Sequence, residues 1–355
     1  MMLLRGVKGQ QQAERLLGSA LSDGRLAHAY LFAGPEGTGK LTSALALASA
    51  VMCRESETWC GECRHCRRIA ALDHPDVRIT LPTLKSTTPE EVAELMGARV
   101  RDGITPLRVP GSSYIGIDHI RELEGRLARP AFESGWRVEM VVDAHRMTEQ
   151  AANALLKSLE EPPEDTLIVL LTSAIQWLLP TIRSRAHLVR FARVEPAVIA
   201  EELQRRCGID REAAERLAAA SDGSPGRALA MAAEGEAPSR DAAEVLRQLR
   251  EAQSETDLIG LAGAVAKTEG TDGARELLAG LRALVHDMVR DAAGSDPLYH
   301  PSSDLPGWSI PCGEAASEAE AALARAETRM DRHVPPAMAL LPALLTLRKA
   351  MEGDG

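Results

Sequence analysis

Aromatic side chains are scarce in this chain: four Trp, three Tyr and three Phe among 355 residues. So few rings provide no stacking platform for single-stranded nucleic acid, and any DNA contact has to be local and phosphate-directed. A basic surplus is also missing. The net charge of −10 excludes a protein whose whole surface embraces nucleic acid, although Arg64, Arg67 and Arg68 leave room for a local basic face. No run of about 18 apolar residues occurs, so no membrane span is expected. The opening MMLLRGVKGQ holds too short an apolar stretch for a signal peptide, and a cytoplasmic location is expected.

What is present is ordinary for a globular protein: 45% hydrophobic and 26% charged residues. The length calls for two or three domains. Up to about residue 195, apolar runs alternate with helical patterns, the signature of a parallel α/β sheet. The runs cover 27–34, 75–81, 136–143, 165–173 and 186–192. They are continuously apolar, which fits strands covered on both faces. Between them lie helical segments, among them LTSALALASAVM, IDHIRELEGRLARP and TEQAANALLKSLEEPP; the last ends at Pro162-Pro163. Residues 82–113, with Pro, Thr and Ser, read as an irregular insertion. Beyond 195 the pattern is helical, with breaks at 222–225, 236–238 and 295–314. It divides into a small helical lid, 196–235, and a C-terminal helical bundle, 240–355. No 20–50-residue repeat is found.

Residues 34–42, GPEGTGKLT, nearly spell a phosphate-binding loop. Main-chain N–H groups within Pro35-Glu36-Gly37-Thr38-Gly39, with Gly34 before them and the helix N-terminus after, suit a phosphate, and Lys40 suits its outer oxygens. The residue after Lys40 should carry a hydroxyl for Mg²⁺. It is Leu41, and Thr42 stands about 100° further round the helix. Phosphate binding survives that change better than catalysis does.

A second departure sits in VVDAHRM. Asp143 ends an apolar strand where a Mg²⁺-holding aspartate belongs; a turn aspartate is the other reading. The next residue in an active motor is Glu, which orients the attacking water. Here it is Ala144, and a methyl group cannot act as a base. Together the two departures argue against efficient hydrolysis at this chain's own site.

Four of the six cysteines follow Cys53-x6-Cys60-x2-Cys63-x2-Cys66. In a reducing compartment that spacing reads as a closed, structural Zn²⁺ site rather than as disulfides, the alternative being unliganded thiols. Cys207 and Cys312 are isolated and read as packing residues. Arg185, in PTIRSRA before the last strand, suits a finger stabilising phosphate charge on a neighbouring subunit, or a solvated surface cation. SDGSPGRAL places Ser224 at a helix N-cap and Pro225 in its first turn. Arg227 then stands against the favoured dipole sign, either to meet a phosphate or to form a surface ion pair.

Taken together, HAYLFAGPEGTGK, the cysteine cluster followed by HPDV, IGIDHIREL, VVDAHRMTEQAANALLKSLEEPPEDT, LLPTIRSR and GSPGRAL resemble the clamp-loader AAA+ family of bacterial DNA polymerase III. The resemblance covers roughly residues 5–230. It implies a RecA-like AAA+ core over 1–195 carrying the zinc module (about 53–66), an all-α lid and an all-α C-terminal collar that assembles a pentameric ring. It further implies ATP or ADP with Mg²⁺ as ligands, Thr172 as a sensor residue and Arg185 acting in trans. The implied partners are subunits of gamma/tau and delta type, with the sliding clamp and primer-template DNA beyond them, and no membrane. Ala186 departs from the cysteine usual in the family after that arginine. Leu41 and Ala144 favour a subunit that hydrolyses little or nothing over a gamma/tau-type motor. A free-standing zinc-dependent nucleic-acid-binding module is the remaining reading.

Overall fold

The computed structural model describes residues 8–352 except 57–58, 85, 103–112, 134, 235–239, 253, 296–309, 311–312 and 332–333. Among these residues five strands, β1 (Ala29–Ala33), β2 (Val77–Thr80), β3 (Arg137–Val141), β4 (Thr166–Thr172) and β5 (His187–Arg190), form one sheet in the order β2-β3-β4-β1-β5. Every neighbouring pair is parallel. All five fall within the apolar runs of the sequence. Central β1 and β4 are buried along their whole length, whereas the edge strands β2 and β5 are buried only in part.

Among the described residues seven helices accompany the strands: α1 (Gln11–Ser22), α2 (Lys40–Met52), α3 (Arg64–Ala70), α4 (Pro89–Asp102), α5 (Ile117–Leu127), α6 (Glu149–Glu160) and α7 (Pro180–Arg183). Successive strand residues point to opposite faces. Tyr30, Phe32, Met140 and Val169 pack with Leu17 of α1, Leu47 of α2 and Ile69 of α3. Leu31, Val141, Ile168 and Leu170 pack with Leu123 of α5, Leu155 of α6 and Ile182 of α7. One buried charge interrupts the sheet: Glu139 of β3 receives two hydrogen bonds of 2.8 Å from the Arg126 guanidinium of α5. Burial pushes the Glu139 carboxyl up, and Arg126 pulls against that.

Helix α4 corrects the expectation of an irregular insertion over 82–113. Its start is a capping box: the Glu91 N–H donates to Thr88 Oγ1 at 3.3 Å, and the Thr88 N–H to Glu91 Oε2 at 2.7 Å. Pro89 occupies the first helical position, where a missing N–H does no harm. The Thr and Pro that suggested irregular chain are therefore a helix start signal. Residues 103–112 of that stretch lie outside the described residues.

After β5 the described chain is helical: α8 (Pro196–Cys207), α9 (Arg211–Ala220), α10 (Pro225–Glu234), α11 (Arg240–Glu251), α12 (Glu255–Ala292), α13 (Glu314–Asp331) and α14 (Pro336–Glu352). The break at 222–225 is a turn with Asp222 and Gly223 at φ of 53° and 72°. The break at 236–238 and nearly all of 295–314, Cys312 included, lie outside the described residues. Two compact units make up the chain. One comprises the described residues within Met1–Val109, Ser113–Gly208 and Ser221–Ala230; the other comprises those within Ile209–Ala220 and Met231–Gly355. The second has its own apolar core, including Leu246, Leu258, Leu284, Leu323 and Leu344. Among the described residues no helix is long and apolar enough to cross a membrane.

Candidate functional site

β1 runs into loop 34–39 and α2 begins at Lys40, which is the strand–loop–helix setting that a phosphate loop needs. The Gly34 N–H donates to the Thr172 carbonyl oxygen of β4 at 3.2 Å, tying the loop to the neighbouring strand. A Cβ on Gly34 would lie 2.1 Å from the Phe191 carbonyl oxygen, so no other residue fits. Gly37 is restricted twice: its φ is +70°, and a Cβ there would lie 2.1 Å from Ser224 Oγ. Gly39 precedes α2 in the left-handed region as its N-cap.

The Lys40 ammonium, half-buried, donates to the carbonyl oxygens of Gly34 (2.7 Å) and Pro35 (2.6 Å). Burial lowers its pKa to about 8, against the opposing pull of Asp143 and Glu36. The Thr38 hydroxyl is turned into the loop, where it donates to the Pro35 carbonyl oxygen at 2.8 Å. Leu41, where a metal-binding hydroxyl is expected, packs into the apolar cluster under α1 and α2. Thr42 follows it, half-buried.

Asp143 stands two residues past β3 in a left-handed conformation (φ 50°), with Oδ2 3.8 Å from Arg146 Nε. Ala144 is completely buried, in the cluster that contains Leu31, Ile115, Ile120 and Val141. Thr172 is also buried. Its hydroxyl lies 3.1 Å from His145 Nδ1 and accepts the Ala174 N–H at 3.0 Å. His145 is a residue that sequence reasoning missed; its place two residues after Asp143 was the available signal. Gln10 was missed as well. Buried at the start of α1, it donates from Nε2 to the carbonyl oxygens of Ala192 (2.7 Å) and Thr38 (3.2 Å). Its Oε1 accepts the Ala192 N–H at 3.0 Å, so it bonds both the phosphate loop and the chain after β5. Nothing in the local GQQQ run distinguishes it.

The first turn of α10 meets the phosphate loop directly. The Gly226 N–H donates to the Gly37 carbonyl oxygen at 2.9 Å, and a Cβ on Gly226 would lie 3.1 Å from Gly37 Cα. Ser224 Oγ accepts the Arg227 N–H at 3.3 Å, the N-cap bond expected from the sequence. Arg227 thus lies in the first turn of α10, one residue after that contact. Arg185 follows α7 with its side chain 34% exposed, and Nη2 lies 2.6 Å from Glu160 Oε1.

Cys53 ends α2, Cys60 lies in the loop, Cys63 caps α3 and Cys66 is buried within it. The four Sγ atoms lie within 4.8 Å of one another, with Cys60 and Cys66 at 3.9 Å. Tetrahedral Zn–S bonds of about 2.3 Å place the sulfurs about 3.8 Å apart, so the thiols fit Zn²⁺. N–H groups of Cys63 (3.2 Å) and Glu62 (3.4 Å) point at Cys60 Sγ and lower its pKa to about 7. Burial raises the Cys66 thiol to about 12. Cys207 is exposed at the end of α8, not packed in a core as its isolation suggested. The basic stretch is engaged too: Arg64 and Arg68 reach Glu133 Oε1 at 2.9 and 2.6 Å, and Arg68 also pairs with Asp73.

Residues 9–195 match a family model described as DNA polymerase III, delta subunit. DNA polymerase III subunit delta' of Bacillus subtilis is 35% identical over 195 residues, covering 55% of this chain and 51% of that protein. The delta' subunit of Yersinia pestis is 32% identical over 292 residues, covering 80% of this chain and 76% of that protein. DNA polymerase III subunit gamma/tau of Mycobacterium bovis is 36% identical over 203 residues, covering 57% of this chain and 30% of that protein. The chain therefore spans about half the length of the Bacillus relative and less than a third of the Mycobacterium one.

Proposed function

The chain belongs to the DNA polymerase III delta-subunit family, and on that premise we propose that it is a delta'-type clamp-loader subunit that hydrolyses little or no ATP itself. In this reading it works in the cytoplasm beside gamma/tau-type motor subunits and a delta subunit in a pentameric ring. The ring loads the sliding clamp onto primed DNA. Residues 1–195 form the AAA+ core, 196–235 the lid and 240–355 the collar.

One observation carries the reading. Ala144 occupies the place of the water-orienting carboxylate and is fully buried among apolar side chains. A carboxylate there would have to be desolvated without a partner. Leu41 supports the same conclusion, because the side chain after Lys40 belongs to the core rather than to a metal.

The parts suited to holding phosphate are Gly34, Gly37, Thr38, Gly39 and Lys40, with Thr42, Asp143, Thr172 and Arg227 around them. ATP or ADP with Mg²⁺ would be held there by main-chain N–H groups and the Lys40 ammonium. Cys53, Cys60, Cys63 and Cys66 would hold Zn²⁺, which supplies a covalent-like cross-link between the end of α2 and α3. Arg185 supplies a guanidinium to a neighbouring subunit's nucleotide. The test is steady-state ATPase of the purified chain. No turnover above background is expected; turnover abolished by Lys40→Ala overturns the proposal in favour of a gamma/tau-type motor.

A further inference from the structure

Beside the cysteine cluster lies a second group of metal-ligating atoms. His65 of α3, His74 in the loop before β2 and Glu133 before β3 converge from three separate stretches of chain. His65 Nδ1 lies 2.9 Å from His74 Nε2. Glu133 Oε2 lies 4.0 Å from the first and 3.9 Å from the second. The His74 side chain is fully buried, and those of His65 and Glu133 are 16% and 11% exposed.

The two carboxylate oxygens of Glu133 are treated differently. Oε1 receives the guanidinium groups of Arg64 and Arg68. Oε2 is fully buried and, among the described residues, has no hydrogen-bond partner. A buried carboxylate oxygen without a partner is costly enough to call for an occupant. A neutral His74 can give its Nε2 proton only once, and His65 Nδ1 at 2.9 Å is nearer than Oε2. The pair of imidazoles therefore satisfies itself and leaves the oxygen unmet.

We propose that His65 Nδ1, His74 Nε2 and Glu133 Oε2 form a second divalent-cation site, distinct from the four cysteines and suited to Zn²⁺. A point equidistant from three atoms at these separations lies about 2.1 Å from each, within the range of about 2.0–2.2 Å for zinc–imidazole and zinc–carboxylate bonds. Two imidazoles and a carboxylate are a donor set that Zn²⁺ accepts. The ion resolves two features at once: the orphan oxygen and the close approach of two ring nitrogens. Arg64 and Arg68 on Oε1 fix the carboxylate's orientation, as outer partners of a metal ligand do. Binding gives up one weak bond, the Asp76 N–H to His74 Nδ1 at 3.2 Å, because a neutral ring ligating through Nε2 carries its proton on Nδ1. The bound ion joins α3 to the loops before β2 and β3, and so staples the cysteine module to the sheet.

The experiment is equilibrium dialysis of the metal-stripped, reduced full chain against Zn²⁺ alone, with zinc per chain measured by elemental analysis. A parallel Co²⁺ titration reads the cysteine site separately through thiolate-to-metal absorption in the near ultraviolet. Two zinc ions per chain are expected. His65→Gln and Glu133→Gln should each weaken the second by about 100-fold or more, since even outer partners are worth about 10–100-fold. The thiolate absorption should be unchanged in both. Arg64→Ala, which removes one of the two guanidinium groups on Oε1, should weaken the second ion by less than either ligand substitution does. A single zinc per wild-type chain at saturation overturns the site, and so does a second zinc that survives both ligand substitutions. Should Glu133→Gln fold poorly, His65→Gln alone decides, because that side chain lies nearer the surface.

Discussion

Arg185 Nη2 lies 2.6 Å from Glu160 Oε1, while Arg185 Nη1 donates to the Thr181 carbonyl oxygen at 3.0 Å. The guanidinium beyond α7 is thus parked on the last residue of α6. Both side chains are partly exposed, 34% and 48%, so the pair contributes at most about 1 kcal/mol. That is weak enough to yield to a phosphate, against which a guanidinium makes stronger, bidentate bonds.

Arg185→Ala is accordingly expected to leave the chain's own stability within about 1 kcal/mol of wild type by denaturant titration. In a reconstituted assembly with gamma/tau-type subunits, the same substitution should lower ATPase at least tenfold, since trans-acting arginines contribute about 10³–10⁵ elsewhere. Glu160→Gln should preserve that ATPase. Unchanged turnover in the Arg185→Ala assembly removes the arginine from its proposed role.

Lys40 gives a pH dependence of defined sign. Its folded pKa is about 8, below the unfolded value of about 10.4. Between those limits the unfolded chain holds a proton that the native chain has shed, so stability rises with pH. Lys40→Met removes the group, while the tyrosines and cysteines titrating in the same range stay common to both proteins. Wild type should therefore gain on Lys40→Met by up to about 3 kcal/mol between pH of about 7 and about 10.5. Urea midpoints that run parallel across that range disprove the burial of the charge.

The ion pair between Arg126 and Glu139 tests whether a charge inside the sheet is held by its partner. Arg126→Ala leaves Glu139 buried alone and should destabilise by about 3 kcal/mol, the lower end for such pairs because Arg126 is 26% exposed. Replacing both, as Arg126→Met with Glu139→Leu, should recover most of the loss. A double variant no better than the single one points to a packing role for Arg126 instead.

Removal of the proposed zinc should separate the cysteine module from the sheet. Chelation, or Cys66→Ser, is expected to expose the segment around 53–70 to limited proteolysis. The sheet should persist, because its two apolar faces are built largely from other elements. Zinc affinity should fall steeply toward acid pH, since the ligands bind as thiolates. Proteolysis spread evenly over residues 8–230 would show instead that the metal supports the whole unit.

Much of this was legible from residues alone. Five continuous apolar runs gave five strands, because a run of buried β residues needs no long-range information to be recognised. The GPEGTGK loop and the cysteine spacing were legible for a similar reason: their partners lie within a few residues of one another. Helix α4 was misread because Thr88 and Pro89 serve equally in irregular chain and at a helix start, and only the reciprocal bonds with Glu91 tell them apart. Gln10 and the unmet oxygen of Glu133 left no mark on the sequence, and His145 left only its place two residues after Asp143, since the partners of each lie far away along the chain.

The sequence by itself determined which chemical groups are available: a phosphate-type loop with Lys40, no hydroxyl at Leu41, no carboxylate at Ala144, and four thiols in one short stretch. Local spacing is enough for that, because each of these groups is defined by its near neighbours. Only the tertiary structure decided what surrounds them. It buries Ala144 beneath α5 and α6, lays Gly226 against Gly37 across 189 positions of chain, and sets Glu133 Oε2 before two histidines. Burial and the meeting of distant segments follow from how the sheet stacks its helices, and no pattern within a window of sequence records that.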